Sequence, residues 1–138
     1  MSGEIMQLYE NALWQARKNY HDEVGKVRTG LAEAIRGALI ELSTKRVSQK
    51  IILRDSVDMV STNPIRYAHV THYYEEGKTF IESTPLPDGV PSSQEINPKD
   101  IAFEHFPLGE IGSYNPYNLR NVIERIENAL AFADLRKS

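Results

Sequence analysis

The sequence predicts an α+β domain: a long N-terminal helix, possible to kink, then an antiparallel meander of three to four strands, then a C-terminal amphipathic helix. Three observations carry this. Apolar residues recur at helical spacing from Ile5 to Leu42, runs rich in β-branched and aromatic residues follow Thr44, and helical spacing returns from Leu119 to Ala133. At 138 residues, with 41% hydrophobic and 25% charged side chains, residues 1–138 fit a single domain with one core.

The first helix rests on Ile5, Tyr9, Leu13, Ala16, Tyr20, Val24, Val27, Leu31, Ile35, Ala38 and Leu42, which span 37 residues at a mean interval of 3.7. Unbroken, it would be about 57 Å long, whereas a compact domain of this size is about 37 Å across. Either it breaks within residues 20–30, where Asp22 can cap a second helix and Gly25 and Gly30 weaken the interior, or another chain covers the overhang. The stripe keeps its phase, which favours a continuous or gently kinked helix. The expectation that follows is a homo-oligomer joined through Ile5, Tyr9, Leu13, Trp14, Tyr20, Val24 and Leu31.

Strand character begins with "KIILRDSVDMV", as one bulged strand or two short ones, and is clearest in "IRYAHVTHYY", with "KTFIEST" as its partner. Between the last two, "EEG" predicts a three-residue hairpin loop: a type I turn over Glu75 and Glu76, Gly77 left-handed, and Tyr74 opposite Lys78. Neither face of the second strand is cleanly apolar. Tyr67, His69, Thr71 and Tyr73 alternate with Ala68, Val70, His72 and Tyr74, so both faces are expected to be partly covered, one of them by a second subunit. Residues 85–98 carry Pro85, Pro87, Pro91 and Pro98 and read as a long surface loop. "DIAFEHF" reads as a further strand. The closing helix puts Leu119, Val122, Ile123, Ile126, Leu130 and Ala133 on one side, capped by Asn115 or Asn118.

Charge narrows the function classes. Residues 67–118 hold two Lys or Arg against eight Asp or Glu, which disfavours nucleic acid along the middle of the chain. Only Lys45, Arg46, Lys50 and Arg54 form a basic cluster, and a run that short is ordinarily a solvated face. There is no cysteine, so a disulfide framework and a thiolate metal site are excluded, and the usage suits a reducing compartment; cytoplasm is expected. No signal-like start or membrane-length apolar run is present, so no membrane partner is expected.

One stretch invites a ligand reading. Gly109 and Gly112 lie between an expected strand and a helix, where a glycine turn can aim backbone N–H groups at a phosphate. No lysine follows the second glycine, no third glycine completes a dinucleotide fingerprint, and Glu104 and Glu110 have the wrong sign. The simpler reading is a tight turn. Tyr114 and Asn115, with Ser113 beside them, give the loop recognition chemistry, and His105 lies within reach as an acid or base. His69 and His72 point to opposite faces of a strand and cannot share a metal; no metal and no cofactor are expected. His69 and Thr71 resemble one of the two His-x-Thr elements of two-histidine phosphoesterases. The second element is not supplied by His21 or His105, which are followed two residues on by Glu23 and Pro107.

Three functions are therefore in contention. The leading one is a non-enzymatic interaction protein that self-associates through its N-terminal helix and presents its sheet or loops to a protein partner. The second is a nucleotide or phosphorylated-compound binder using His105, Gly109, Gly112, Ser113, Tyr114 and Asn115. An enzyme using a histidine with a tyrosine or carboxylate is the third.

Overall fold

The computed structural model describes residues 3–18, 21–62, 65–86, 89–106, 108 and 118–136. Two N-terminal helices, a four-strand antiparallel meander and a C-terminal helix make an α+β fold. The first helix, α1 (Glu4–Arg17), is separate from the second, α2 (His21–Thr44), so the unbroken helix favoured by the apolar phase is corrected. At the end of α1 the Lys18 N–H donates to the Trp14 carbonyl, closing the last turn. The two helices pack on each other, and Glu4, Ile5 and Leu8 of α1 meet Ala34, Ala38 and Glu41 of α2, so they run antiparallel. One apolar stripe in phase is thus folded back upon itself, which removes the overhang that a second chain would have had to cover.

The strands are β1 (Ile51–Thr62), β2 (Ile65–Glu75), β3 (Lys78–Leu86) and β4 (Ser92–Ile96), hydrogen-bonded in that order. β1 is one strand with irregularities, the first between Ile52 and Arg54. Leu53 is the extra residue there, and the shift turns Arg54 inward opposite His72. Its guanidinium lies 5.2 Å from the centre of the Phe106 ring.

The hairpin between β2 and β3 is tighter than expected. Glu75 pairs with Lys78 and Tyr74 with Thr79, which leaves the two-residue loop Glu76 and Gly77. Their φ values of 53° and 88° are those of a type I′ turn, whose twist matches that of the flanking strands. Gly77 is left-handed as expected; Glu76 is too, which the three-residue reading did not include.

Two further segments depart from the sequence reading. β4 arises inside what reads as a surface loop, and "DIAFEHF" forms no strand but follows and contains the 3-10 turns Pro98–Asp100 and Phe103–His105. Asn97 starts the first turn by accepting from the Lys99 N–H at 3.0 Å. The carbonyls that a ladder would have used are taken by arginines of α2. Arg36 Nε donates to the Ile101 carbonyl at 2.9 Å, and Arg28 Nη2 donates to the Phe106 carbonyl at 2.7 Å and to that of Glu104. Ile101, Phe103 and Phe106 are thereby pressed into the core.

The closing helix, α3 (Leu119–Arg136), starts at Asn118, whose Oδ1 accepts from the Arg120 N–H at 2.7 Å. Leu119, Val122, Ile123, Ile126 and Ala133 are buried and Leu130 is partly so. They join Ile5, Tyr9, Leu13, Leu31, Ile35, Leu39 and Leu42 in one core, closed by Ile51, Leu53 and Tyr74 of the sheet. The Tyr74 hydroxyl shares its proton between the Val47 carbonyl at 2.8 Å and the Leu42 carbonyl at 3.1 Å, tying the sheet to the end of α2; burial raises its pKa. No helix among the described residues is long and apolar enough to cross a membrane.

Candidate functional site

The register sorts the sheet into two faces. Ile51, Leu53, Tyr74 and Thr79 face inward and are buried under the helices, with Ala68 and Val70 buried on the same side further along. The outward side carries Ile52, Asp55 and Val57 of β1, Tyr67, His69, Thr71 and Tyr73 of β2, Phe80, Glu82 and Thr84 of β3, and Ser93 and Glu95 of β4. Among the described residues the helices and 3-10 turns pack against one another and against the inner side, and no described element lies over the outward face. Val57 is 58% and Tyr67 47% exposed.

This face is laterally ordered. Asp55 accepts from the Thr71 hydroxyl at 3.0 Å and pairs with Nε2 of His69. Tyr73 and Phe80, directly opposite each other, stack with centroids 5.2 Å apart and planes 23° from parallel. Lys50 sits 4.7 Å above the Tyr73 ring and 3.8 Å from the Glu75 carboxylate, and the Tyr73 hydroxyl lies 3.3 Å from that of Ser93. Side chains fixed in this way have little rotamer freedom left to lose.

The Asp55 carboxylate orients the His69 imidazole as a carboxylate orients a general base, but on the outward face of the sheet. His72 lies on the inner side opposite Arg54, so the two histidines of "HVTH" occupy opposite faces. Its Nδ1 is buried without a partner among the described residues. Desolvation first, then the Arg54 charge, lower its pKa, while Asp58 opposes. His105 is exposed in a 3-10 turn against α2, so the sheet separates it from His69. Its neighbour Glu104 has a lowered pKa because the Arg36 side chain, 2.8 Å away, donates to the carboxylate. Among the described residues no group of three or more His, Asp or Glu side chains could hold a metal ion.

Of the sequence-predicted ligand residues only His105 falls within the described part; Gly109, Gly112, Ser113, Tyr114 and Asn115 lie outside the described residues. Of the self-association set, Ile5, Tyr9, Leu13 and Leu31 are buried in the chain's own core, at 8%, 1%, 8% and 2% exposure. Trp14 is 51% exposed, with the Lys18 ammonium 5.8 Å from its ring centroid. Tyr20 and the side chain of Val24 lie outside the described residues. The basic cluster is dispersed: Lys45 pairs with Asp134 and Glu41, Lys50 caps Tyr73, and Arg54 turns inward onto Phe106.

Sequence reasoning missed Val57, which stands among Asp55, Ser56 and Asp58; alternation puts it on the face of Asp55, and the register sets it opposite His69. It also missed Glu127, buried at 8% exposure, whose Oε2 accepts from the Gly3 N–H at 2.7 Å and the Ile5 N–H at 3.2 Å. That carboxylate caps α1 from the far end of the sequence. No family model matches the chain, and neither a curated protein nor a solved structure matches it.

Proposed function

We propose that the chain is a non-enzymatic interaction protein of the cytoplasm whose working surface is the outward sheet face, and that the occupant of that face is a second copy. The observation that carries this reading is the open face itself: Val57 and Tyr67 stand well exposed at one end of it, and the stacked Tyr73 and Phe80 pair lies at the other. Three strands of 12, 11 and 9 residues with a five-residue edge give a footprint of about 600 Å². A standard interface buries about 800 Å² per partner, so a sheet-on-sheet dimer is of a size that associates reversibly. The Asp55, His69 and Thr71 cluster then serves as polar matching at the centre of the interface.

A chain with no cysteine permits a direct test. Val57→Cys introduces one thiol on the outward face, and Ile40→Cys introduces one on the outer side of α2, where Ile40 is 39% exposed. A short bis-maleimide should join Val57→Cys chains into covalent dimers at low protein concentration and leave Ile40→Cys monomeric. Equal cross-linking of the two variants would discard the sheet face as the interface.

A further inference from the structure

A second surface lies on the helical side of the molecule, away from the outward sheet face. Where the start of α1, the later half of α2 and the end of α3 meet, they leave a groove of about 310 Å³. Its floor is apolar, made by Leu8, Ala34, Ala38 and Leu130 with the buried Glu127 among them, and its rim carries Glu4, Glu41 and Asp134 with no basic residue in the lining. Alanines at two adjacent helical positions keep the floor open because they leave the backbone surface low.

We propose that this groove docks a basic amphipathic helix of a partner protein. Charge selects the occupant. Glu127 is buried and committed to the α1 N-terminus and Lys45 meets Glu41 and Asp134 at one end, which leaves three rim carboxylates against one ammonium around an apolar floor. Apolar anchors one helical turn apart enter the floor, and lysines or arginines flanking them reach the rim. A second copy of this chain is the poorer occupant, because its net charge is -3 and its Lys50 and Arg54 are occupied elsewhere. The volume is at the small end of the range of about 300–1,000 Å³ for ligand pockets, which suits side chains from a helix laid along it.

The test is fluorescence anisotropy with two labelled amphipathic peptides of identical leucine pattern, one carrying lysines and the other glutamates on its polar face. The lysine peptide should bind the intact chain, and raising the ionic strength to about 0.3 M should weaken it severalfold. Paired Glu4→Lys and Glu41→Lys substitutions on the groove rim should weaken it about tenfold or more, whereas the same charge change at Glu82 and Glu95 on the sheet should alter it little. Leu8→Lys, at a position 36% exposed, should have the effect of the rim pair without disturbing the core. Equal binding of the two peptides, or equal loss from the sheet pair and the rim pair, would overturn the proposal. Neither result bears on dimerisation, which uses the other face.

Discussion

Glu127 supplies an acceptor where α1 has none of its own: Gly3 at its N-cap carries no side chain, and two N–H groups there would otherwise be unsatisfied. Glu127→Ala should cost about 1–3 kcal/mol, read by chemical denaturation, because it strands buried donors. A loss no larger than that of the exposed Glu124→Ala would show the contact to be incidental. At the hairpin tip, Glu76 has φ of 53°, a conformation that costs an L-residue about 1–2 kcal/mol. Glu76→Asn should therefore raise the melting temperature, and Gly77→Val should lower it by an amount equivalent to about 1 kcal/mol or more. His72 contributes a pH dependence with a definite sign. Its folded pKa lies below the unfolded value of about 6.5, so the unfolded chain binds the extra proton first and stability falls as pH drops through that value. Glu104, also depressed, adds a loss at lower pH as it protonates and releases Arg36. Denaturation of His72→Gln between pH 7 and pH 5, about where histidines titrate, should show a shallower decline than the parent chain. A parallel decline would assign the acid sensitivity elsewhere.

Elements whose stability comes from burial on one side were readable from the sequence. Helix α3 carries its apolar residues at the helical period, β2 and β3 are rich in β-branched and aromatic residues on either side of a glycine turn, and Asn118 was one of the two caps considered. Asn118→Ala should cost about 1 kcal/mol and fray the start of α3, which amide exchange at residues 119–122 would report; unchanged exchange there would deny the cap. The elements that misled are those held by backbone groups or by distant side chains. β4 is exposed almost throughout and is held chiefly by its pairing with β3, so it has no periodicity to read. Residues 101–106 have apolar residues at strand-like intervals, but Arg28 and Arg36, more than sixty residues earlier, take their carbonyls. A break between α1 and α2 is one of the two readings the sequence allows, and the phase disfavours it because an antiparallel pair can bury one continuous stripe from both sides, leaving its phase intact across the turn.

For the whole molecule the change is one of surfaces. Apolar helix length suggested that α1 and α2 would meet another chain, whereas the core takes in Ile5, Tyr9, Leu13 and Leu31 and the sheet is left with an open side. Burying one aliphatic side chain contributes roughly 1.5–3 kcal/mol, so these four bind the monomer together strongly. The two faces of β2 were legible residue by residue; which of them the helices would cover was not, because both mix aromatic and polar groups. The Leu53 bulge, which turns Arg54 inward, helps decide that assignment; a bulge is one of the two readings of "KIILRDSVDMV", but the sequence does not specify its position at Leu53.

The central claim is that the open sheet face joins two copies, and sedimentation equilibrium tests it most directly. At tens of micromolar the chain should sediment at twice its 15.7 kDa mass, and a Val57→Arg, Tyr67→Glu variant should sediment at the single-chain mass with an unchanged melting temperature at low concentration. A 15.7 kDa monomer for the parent chain at that concentration, or a dimer that survives both substitutions, would contradict it.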